Sequence, residues 1–264
     1  MHIGFFDSGI GGVSVAQSAI RDLPHYTYVY FADDTNMPYG NKSKDTLFDL
    51  TKKALEQMFA ANCKLVVLAC NSATTVLPRI QQEWLPKYYP NHKVLGVIRP
   101  TVEHMTEQKG QEDVYVLATA VTVSSKSFTH ELSKIQKSLR FFEIPCPELA
   151  EAIEKSKNYE ENTEIVSLCK KYLSTVPADK SVTIYTGCTH YAFVSDIIRR
   201  LRPRAKVFTQ GNMVSPKLVQ YLSRHPEIEK SLSRTMSAQL VTLCSSRNPD
   251  YIQKLKQALL FPFT

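Results

Sequence analysis

Two cysteines stand in matching settings. Leu65-Val66-Val67-Leu68-Ala69-Cys70-Asn71-Ser72 and Val182-Thr183-Ile184-Tyr185-Thr186-Gly187-Cys188-Thr189-His190 each run from an apolar stretch through a small residue to a thiol. Small hydrogen-bonding residues follow in both. A thiol at the carboxyl end of a buried strand, facing the next helix N-terminus, sits where an α/β sheet presents reactive groups. A free thiol has a pKa of about 8.5, so only a few per cent is thiolate near neutral pH. A helix N-terminus, a cation or a hydrogen-bond donor lowers that value and makes a base. One such cysteine reads as a nucleophile or a buried apolar filler; two read as a pair of acid/base groups facing one substrate. His190 is placed to polarise Cys188, to act as an acid itself, or to serve as a cap or core residue.

Two polar clusters could complete a site. Gly4, Gly9, Gly11 and Gly12 are four of only nine glycines in the chain. Three of them fall in Asp7-Ser8-Gly9-Ile10-Gly11-Gly12, directly after the first apolar run. Glycines there let the backbone turn tightly and aim N–H groups at an anion. The dinucleotide fingerprint needs a glycine where Ser14 stands, and no Gly-Lys-Ser/Thr run exists, so nucleotide binding is poorly supported. Asp7 and Ser8 also read simply as turn or cap residues. The second cluster, Asp33-Asp34-Thr35-Asn36-Met37-Pro38-Tyr39-Gly40, reads either as a turn or as a backbone cradle from Tyr39 and Gly40 for a carboxylate.

The elements that must position these groups alternate along the chain. Strand-like runs occupy 2–6, 27–31, 65–69, 93–97, 114–118, 182–186, 206–208 and 240–243. Helical spacing occupies 44–61, 73–84, 125–137, 161–173 and 191–201. Such alternation predicts an α/β fold with mainly parallel sheets. The echo between the two cysteine units predicts two similar, pseudo-twofold related lobes with the active site in the cleft between them. The first lobe spans 1–96 plus 209–264 and carries Cys70; the second spans 97–208 and carries Cys188. Gly96-Val97-Ile98-Arg99-Pro100 is the expected crossing, and Phe208-Thr209-Gln210-Gly211 the expected return.

With 264 residues, 43% hydrophobic and 22% charged, the chain has the size and composition of a globular protein with a real core. No apolar run approaches a membrane span, and the N-terminus enters a strand without a secretory signal, so a cytoplasmic location is expected. The six cysteines, Cys63, Cys70, Cys146, Cys169, Cys188 and Cys244, form no C-x-x-C pair, which argues against zinc ribbons, and most should be small core hydrophobes. The net charge of +7 permits nucleic-acid binding, yet the basic residues are interspersed with acids and form no stripe. It reads as a solvated surface.

Four motifs in order resemble one family: Phe6-Asp7-Ser8-Gly9-Ile10-Gly11-Gly12, Pro38-Tyr39-Gly40, Ala69-Cys70-Asn71-Ser72-Ala73 and Gly187-Cys188-Thr189-His190-Tyr191. Over nearly its whole length the chain resembles the glutamate racemases of the cofactor-independent aspartate/glutamate racemase superfamily. The resemblance implies an isomerase that uses two thiols on opposite faces of the substrate α-carbon, with no pyridoxal phosphate, metal or nucleotide. It implies that Cys70 and Cys188 are the bases, that Asp7 assists on the Cys70 side and His190 on the Cys188 side, and that Glu154 is a carboxylate near the second thiol. Ser8, Pro38, Tyr39, Gly40, Asn71, Ser72, Thr119 and Thr189 match positions that hold substrate. The family's commonest state, a homodimer, is implied with it, as is supply of D-glutamate for peptidoglycan.

This chain departs from the pattern in places. Ala32-Asp33-Asp34-Thr35-Asn36 replaces the usual Gly-Asp-Ser/Thr-Ala-Arg, Arg99-Pro100-Thr101 replaces Glu-Pro-Gly, and Thr209-Gln210-Gly211 lacks the usual acid before its glycine. The departures keep open a racemase of aspartate, hydantoin or another carboxylate on the same scaffold. A different class, a non-catalytic regulatory or DNA-associated protein, would have no need of both thiols.

Overall fold

The computed structural model describes residues 1–108, 112–135 and 139–263. Among the described residues, nine strands form where apolar runs meet turn residues: β1 (His2–Asp7), β2 (Thr27–Ala32), β3 (Cys63–Leu68), β4 (Lys93–Gly96), β5 (Val114–Ala118), β6 (Phe141–Pro145), β7 (Val182–Gly187), β8 (Ala205–Phe208) and β9 (Gln239–Cys244). They build two parallel sheets, one ordered β4-β3-β1-β2-β9 and one ordered β6-β5-β7-β8. The central strands are buried on both faces, as β2 is along its whole length, and so read as continuous apolar runs. Each fully buried Phe or Ile of β1 contributes about 1.5–3 kcal/mol.

Register brings the strand ends into line. Phe6 pairs with Leu68 and Asp7 with Ala32 in the first sheet, while Ala118 pairs with Gly187 in the second. Asp7 therefore ends β1, Cys70 follows β3 by two residues, Thr119 follows β5 and Cys188 follows β7. The chain passes from the first sheet to the second through helix Ile98–Glu107 and returns through helix Gly211–Arg224. The expected crossing at 96–100 is thus a helix start rather than a turn. The return helix packs on Val13–Asp22 so closely that a Cβ on Gly211 would lie 2.6 Å from the Ser14 carbonyl oxygen.

Helices 44–61 and 161–173 were expected close to where they form, as Lys44–Ala60 and Thr163–Leu173. Their caps explain the starts: Ser43 accepts from Thr46 N–H at 3.1 Å and Asn162 from Ile165 N–H at 3.1 Å. Two expectations need correction. Segment 73–84 is not one helix: Asn71–Thr74 is a single turn, Leu77–Arg79 restarts with Pro78 in its first turn, and Ile80–Trp84 is a π turn. Segment 191–201 begins as a tight 3-10 stretch, Thr189–Val194, before helix Ser195–Leu201. The helix expected over 125–137 forms as Ser127–Ile135, and Gln136 and Lys137 lie outside the described residues. Strand β6 had no place in the sequence reading. It lies at a sheet edge, only partly buried, and its run Phe-Phe-Glu-Ile-Pro lacks a long apolar signal. No described helix is long and apolar enough to cross a membrane.

Candidate active site

The loops after β1, β3, β5 and β7 converge. Cys70 and Cys188 are 5% and 6% exposed, and Asp7, Asn71, Ser72, Thr119, Thr189, His190 and Glu154 are buried around them. These polar groups lie buried between the two sheets.

The glycine loop explains how the sheets approach. A Cβ on Gly9 would meet Glu154 Oε2 at 2.3 Å, and one on Gly11 would meet His190 Nδ1 at 2.3 Å. Gly40 is held likewise against Thr119, where a Cβ would fall 2.9 Å from its Cβ. These glycines let the first sheet's loops press against the second sheet's functional segments. Two of the N–H groups in the glycine loop serve the protein's own anions: Ile10 N–H donates to Glu154 at 2.9 Å and Gly9 N–H to Asp7 at 2.9 Å.

Asp7 spans both sheets. Its Oδ1 accepts from Gly9 N–H at 2.9 Å and its Oδ2 from Thr189 Oγ1 at 2.8 Å, beside Cys188. Burial raises its pKa, only partly offset by His190, Gly9 and Thr189, and the Glu154 charge raises it further. Ser8 Oγ lies 3.8 Å from Cys70 Sγ. Burial pushes the Cys70 thiol well up, the Asp7 and Cys188 charges add to this, and the Ala73 N–H and Ser8 hydroxyl oppose it weakly. A helix N-terminus ordinarily lowers such a thiol. Here the helix is one turn, and desolvation outweighs its single N–H.

On the other side, His190 stands beside Cys188, and its Nε2 lies 2.8 Å from Glu154 Oε2. Burial alone would lower its pKa, yet these two partners hold it well above the ordinary histidine value. Glu154 is likewise buried, but His190 and Lys254 bring its pKa down to about 2. The result is a buried imidazole–carboxylate pair beside the Cys188 thiol.

The remaining expected residues divide. Ser72 Oγ and Thr119 Oγ1 meet across the sheets at 3.0 Å, and Thr119 caps the next helix beside Thr122. Tyr39 hydroxyl donates to Asp33 Oδ2 at 2.6 Å, Asn36 bonds the same carboxylate, and Gly40 carbonyl accepts from Val121 N–H at 3.0 Å. Pro38 is half-buried between them. Asn71 turns its carboxamide to Gln210 in a paired amide contact, 2.6 Å and 2.9 Å, and Gln210 also donates to Thr101. Gln210 was visible in the sequence only as a departure. Tyr251 and Lys254, both on Glu154, gave no signal, because they lie in a helix far from every motif.

Among the described residues, no three His, Cys, Asp or Glu side chains gather as a metal-binding group. A cavity of about 610 Å³ opens between helices Ile98–Glu107, Ser127–Ile135 and Gly211–Arg224, and it touches neither thiol.

Two parallel sheets that bring strand-end thiols, a buried Asp and a His–Glu pair into one closed cleft define an α/β enzyme with its site between the sheets. The family model for the Asp/Glu/hydantoin racemases matches residues 14–207. A glutamate racemase of Phenylobacterium zucineum is 36% identical over 88% of this chain and 89% of its own. In fold, the chain is similar to a glutamate racemase of Bacillus anthracis, with TM-score 0.85, 23% identity, 98% of this chain and 93% of that one. It is similar also to a Francisella tularensis glutamate racemase solved with D-glutamate, with TM-score 0.83, 23% identity, 100% of this chain and 95% of that one. The chain belongs to the Asp/Glu/hydantoin racemase family and is an isomerase.

Proposed function

We propose that the protein interconverts L- and D-glutamate, with Cys70 and Cys188 as the two bases. What supports this reading is the pairing itself: one thiol after a central strand of each sheet, both buried, with Asp7 reaching toward both. The names of the relatives support the substrate.

The chemistry follows from the electrostatics. An amino-acid α-proton is far less acidic than a thiol, so the site must stabilise carbanion character without an electron sink. Preorganised donors on the substrate carboxylates in a water-poor cleft supply this, each contributing on the order of 3 kcal/mol. Ser8, Tyr39, Gly40, Asn71, Ser72, Thr119 and Thr189 are the groups proposed to hold the carboxylates and ammonium. The substrate also corrects the thiol. Its α-ammonium brings positive charge beside Asp7 and Cys70, and that charge lowers the pKa that burial has raised. One thiolate takes the α-proton while the opposite thiol delivers another from the far face. His190, held protonated by Glu154, returns protons to the Cys188 side.

The thiols belong to two lobes, 1–96 with 209–264 and 97–208, which open to admit substrate and close for turnover. The protein works in the cytoplasm as a homodimer and supplies D-glutamate for peptidoglycan.

Cys70→Ser and Cys188→Ser test the reading. Each lowers racemisation by more than about 10²-fold, and each retains α-proton exchange with deuterium oxide from one enantiomer only. Normal racemisation by both variants would sink the two-thiol mechanism.

A further inference from the structure

Glu154 collects donors from three distant parts of the chain. Its Oε2 accepts from Ile10 N–H at 2.9 Å and from His190 Nε2 at 2.8 Å. Its Oε1 accepts from the Tyr251 hydroxyl at 2.8 Å and the Lys254 ammonium at 2.7 Å, and Lys254 donates again to the Glu154 carbonyl. With the side chain 3% exposed, water cannot substitute for a lost donor. Tyr251 and Lys254 sit one turn apart on helix Pro249–Ala258 and so face the same side.

That helix is fixed at both ends. Asn248 caps its start by accepting from Asp250 N–H. Beyond its end, Gln17 donates to the carbonyls of Leu259 and Phe261, and Phe261 and Phe263 pack on Phe193. Phe193 lies in the same 3-10 segment as His190. The helix therefore grips Glu154 by a charged contact, and the residues that follow it grip the His190 segment by an apolar one.

We propose that Tyr251 and Lys254 are positioning residues for the Cys188 half of the reaction. They hold Glu154 where it accepts the Nε2 proton of His190, which leaves the Nδ1 proton to serve Cys188. This rests on the two-thiol reading. The titratable groups around Glu154 are His190 from the 3-10 segment, Tyr251 and Lys254 from the helix, Tyr159 from the following loop, and Asp7 and Tyr30 from β1 and β2. Removing Lys254 removes a positive charge, so His190 and Glu154 hold their protons more tightly. The pH profile of Cys188-dependent exchange then moves upward by about half a unit or more.

The experiment follows α-proton exchange of each glutamate enantiomer in deuterium oxide by NMR across pH. Lys254→Met, Tyr251→Phe and Lys254→Arg are each made in the wild type and in the Cys70→Ser and Cys188→Ser backgrounds. In Cys70→Ser, Lys254→Met slows the remaining exchange about tenfold and shifts its profile upward; Tyr251→Phe does so less, and Lys254→Arg restores the profile's position. In Cys188→Ser the remaining exchange changes by less than about twofold. Equal slowing in both backgrounds, or a profile that does not move, overturns the proposal and leaves a structural role. The two-thiol reading fails by a separate sign, normal racemisation in both parental cysteine variants. In that event an unmoved wild-type-background profile for Lys254→Met overturns the positioning role as well.

Discussion

All six cysteines are buried and free, so burial does not separate the two proposed as bases from the other four. Polar neighbours do set Cys70 apart from Cys63 and Cys169. Cys63 and Cys169 have their thiols raised chiefly by burial, whereas Cys70 is raised by burial together with Asp7 and Cys188. That contrast was legible in the residues following Cys70 and Cys188. The direction of the Cys70 shift was not, because sequence shows a helix start without showing how much water it keeps. Asp7 carries the cost of the arrangement. Its raised pKa means that the folded state prefers the neutral acid, so this group favours folding at low pH and loses that contribution as pH rises through its folded value. Asp7→Asn removes the charge. Calorimetry near pH 8 should give a melting temperature at or above the wild type, with racemisation down about 10²-fold.

At the scale of elements, the glycine loop was found in the sequence but given two readings, and only packing separates them. Nothing local in Gly9-Ile10-Gly11-Gly12 says that the partner is His190, which is distant in sequence. Gly11→Ala is the direct measure. A Cβ there falls 2.6 Å from the His190 backbone nitrogen as well as on its ring, so the second sheet must back away. Activity falls at least about tenfold, and most of the loss appears in the Cys188-dependent direction, read by exchange from single enantiomers. Strand cores such as β1, β2 and β7 were legible because both faces are buried and the run is unbroken. Strand β6 was not, since an edge strand keeps only half of that signal. Segment 73–84 misled by its apolar spacing, and Pro78 decided against a continuous helix.

For the molecule as a whole, Glu154 ties the first sheet's loop, the second sheet's His190 segment and helix Pro249–Ala258 into one unit. Its pKa of about 2 lies below the ordinary carboxylate value of about 4.3, so its contribution to stability is complete above that ordinary value and is lost as pH falls toward 2. His190, raised above its ordinary value of about 6.5, contributes fully below that pH and loses the contribution as pH climbs through its folded value. Both contributions are whole between about pH 4.5 and 6.5. Glu154→Gln should therefore show a flatter decline in melting temperature between pH 4.5 and 2 than the wild type, measured by circular dichroism in a pH series. The α/β class and the two-sheet plan were legible because alternation survives in the text of the chain. Strand β9 was legible at 240–243 and as part of the first lobe, but its closure of the sheet beside β2 was not, since a strand's partner across so long a separation leaves no local mark.

That closure gives the protein a schedule. The four strands of the second sheet come from one uninterrupted stretch, while the first sheet lacks its β9 edge until late in synthesis. At ribosomal speeds of about 5–20 residues per second, the interval between Cys188 and helix Pro249–Ala258 lasts on the order of seconds. A nascent chain in that interval already carries both thiols without the Tyr251 and Lys254 that grip Glu154. The order of translation thus supplies the two cysteines first and the side chains that hold Glu154 last.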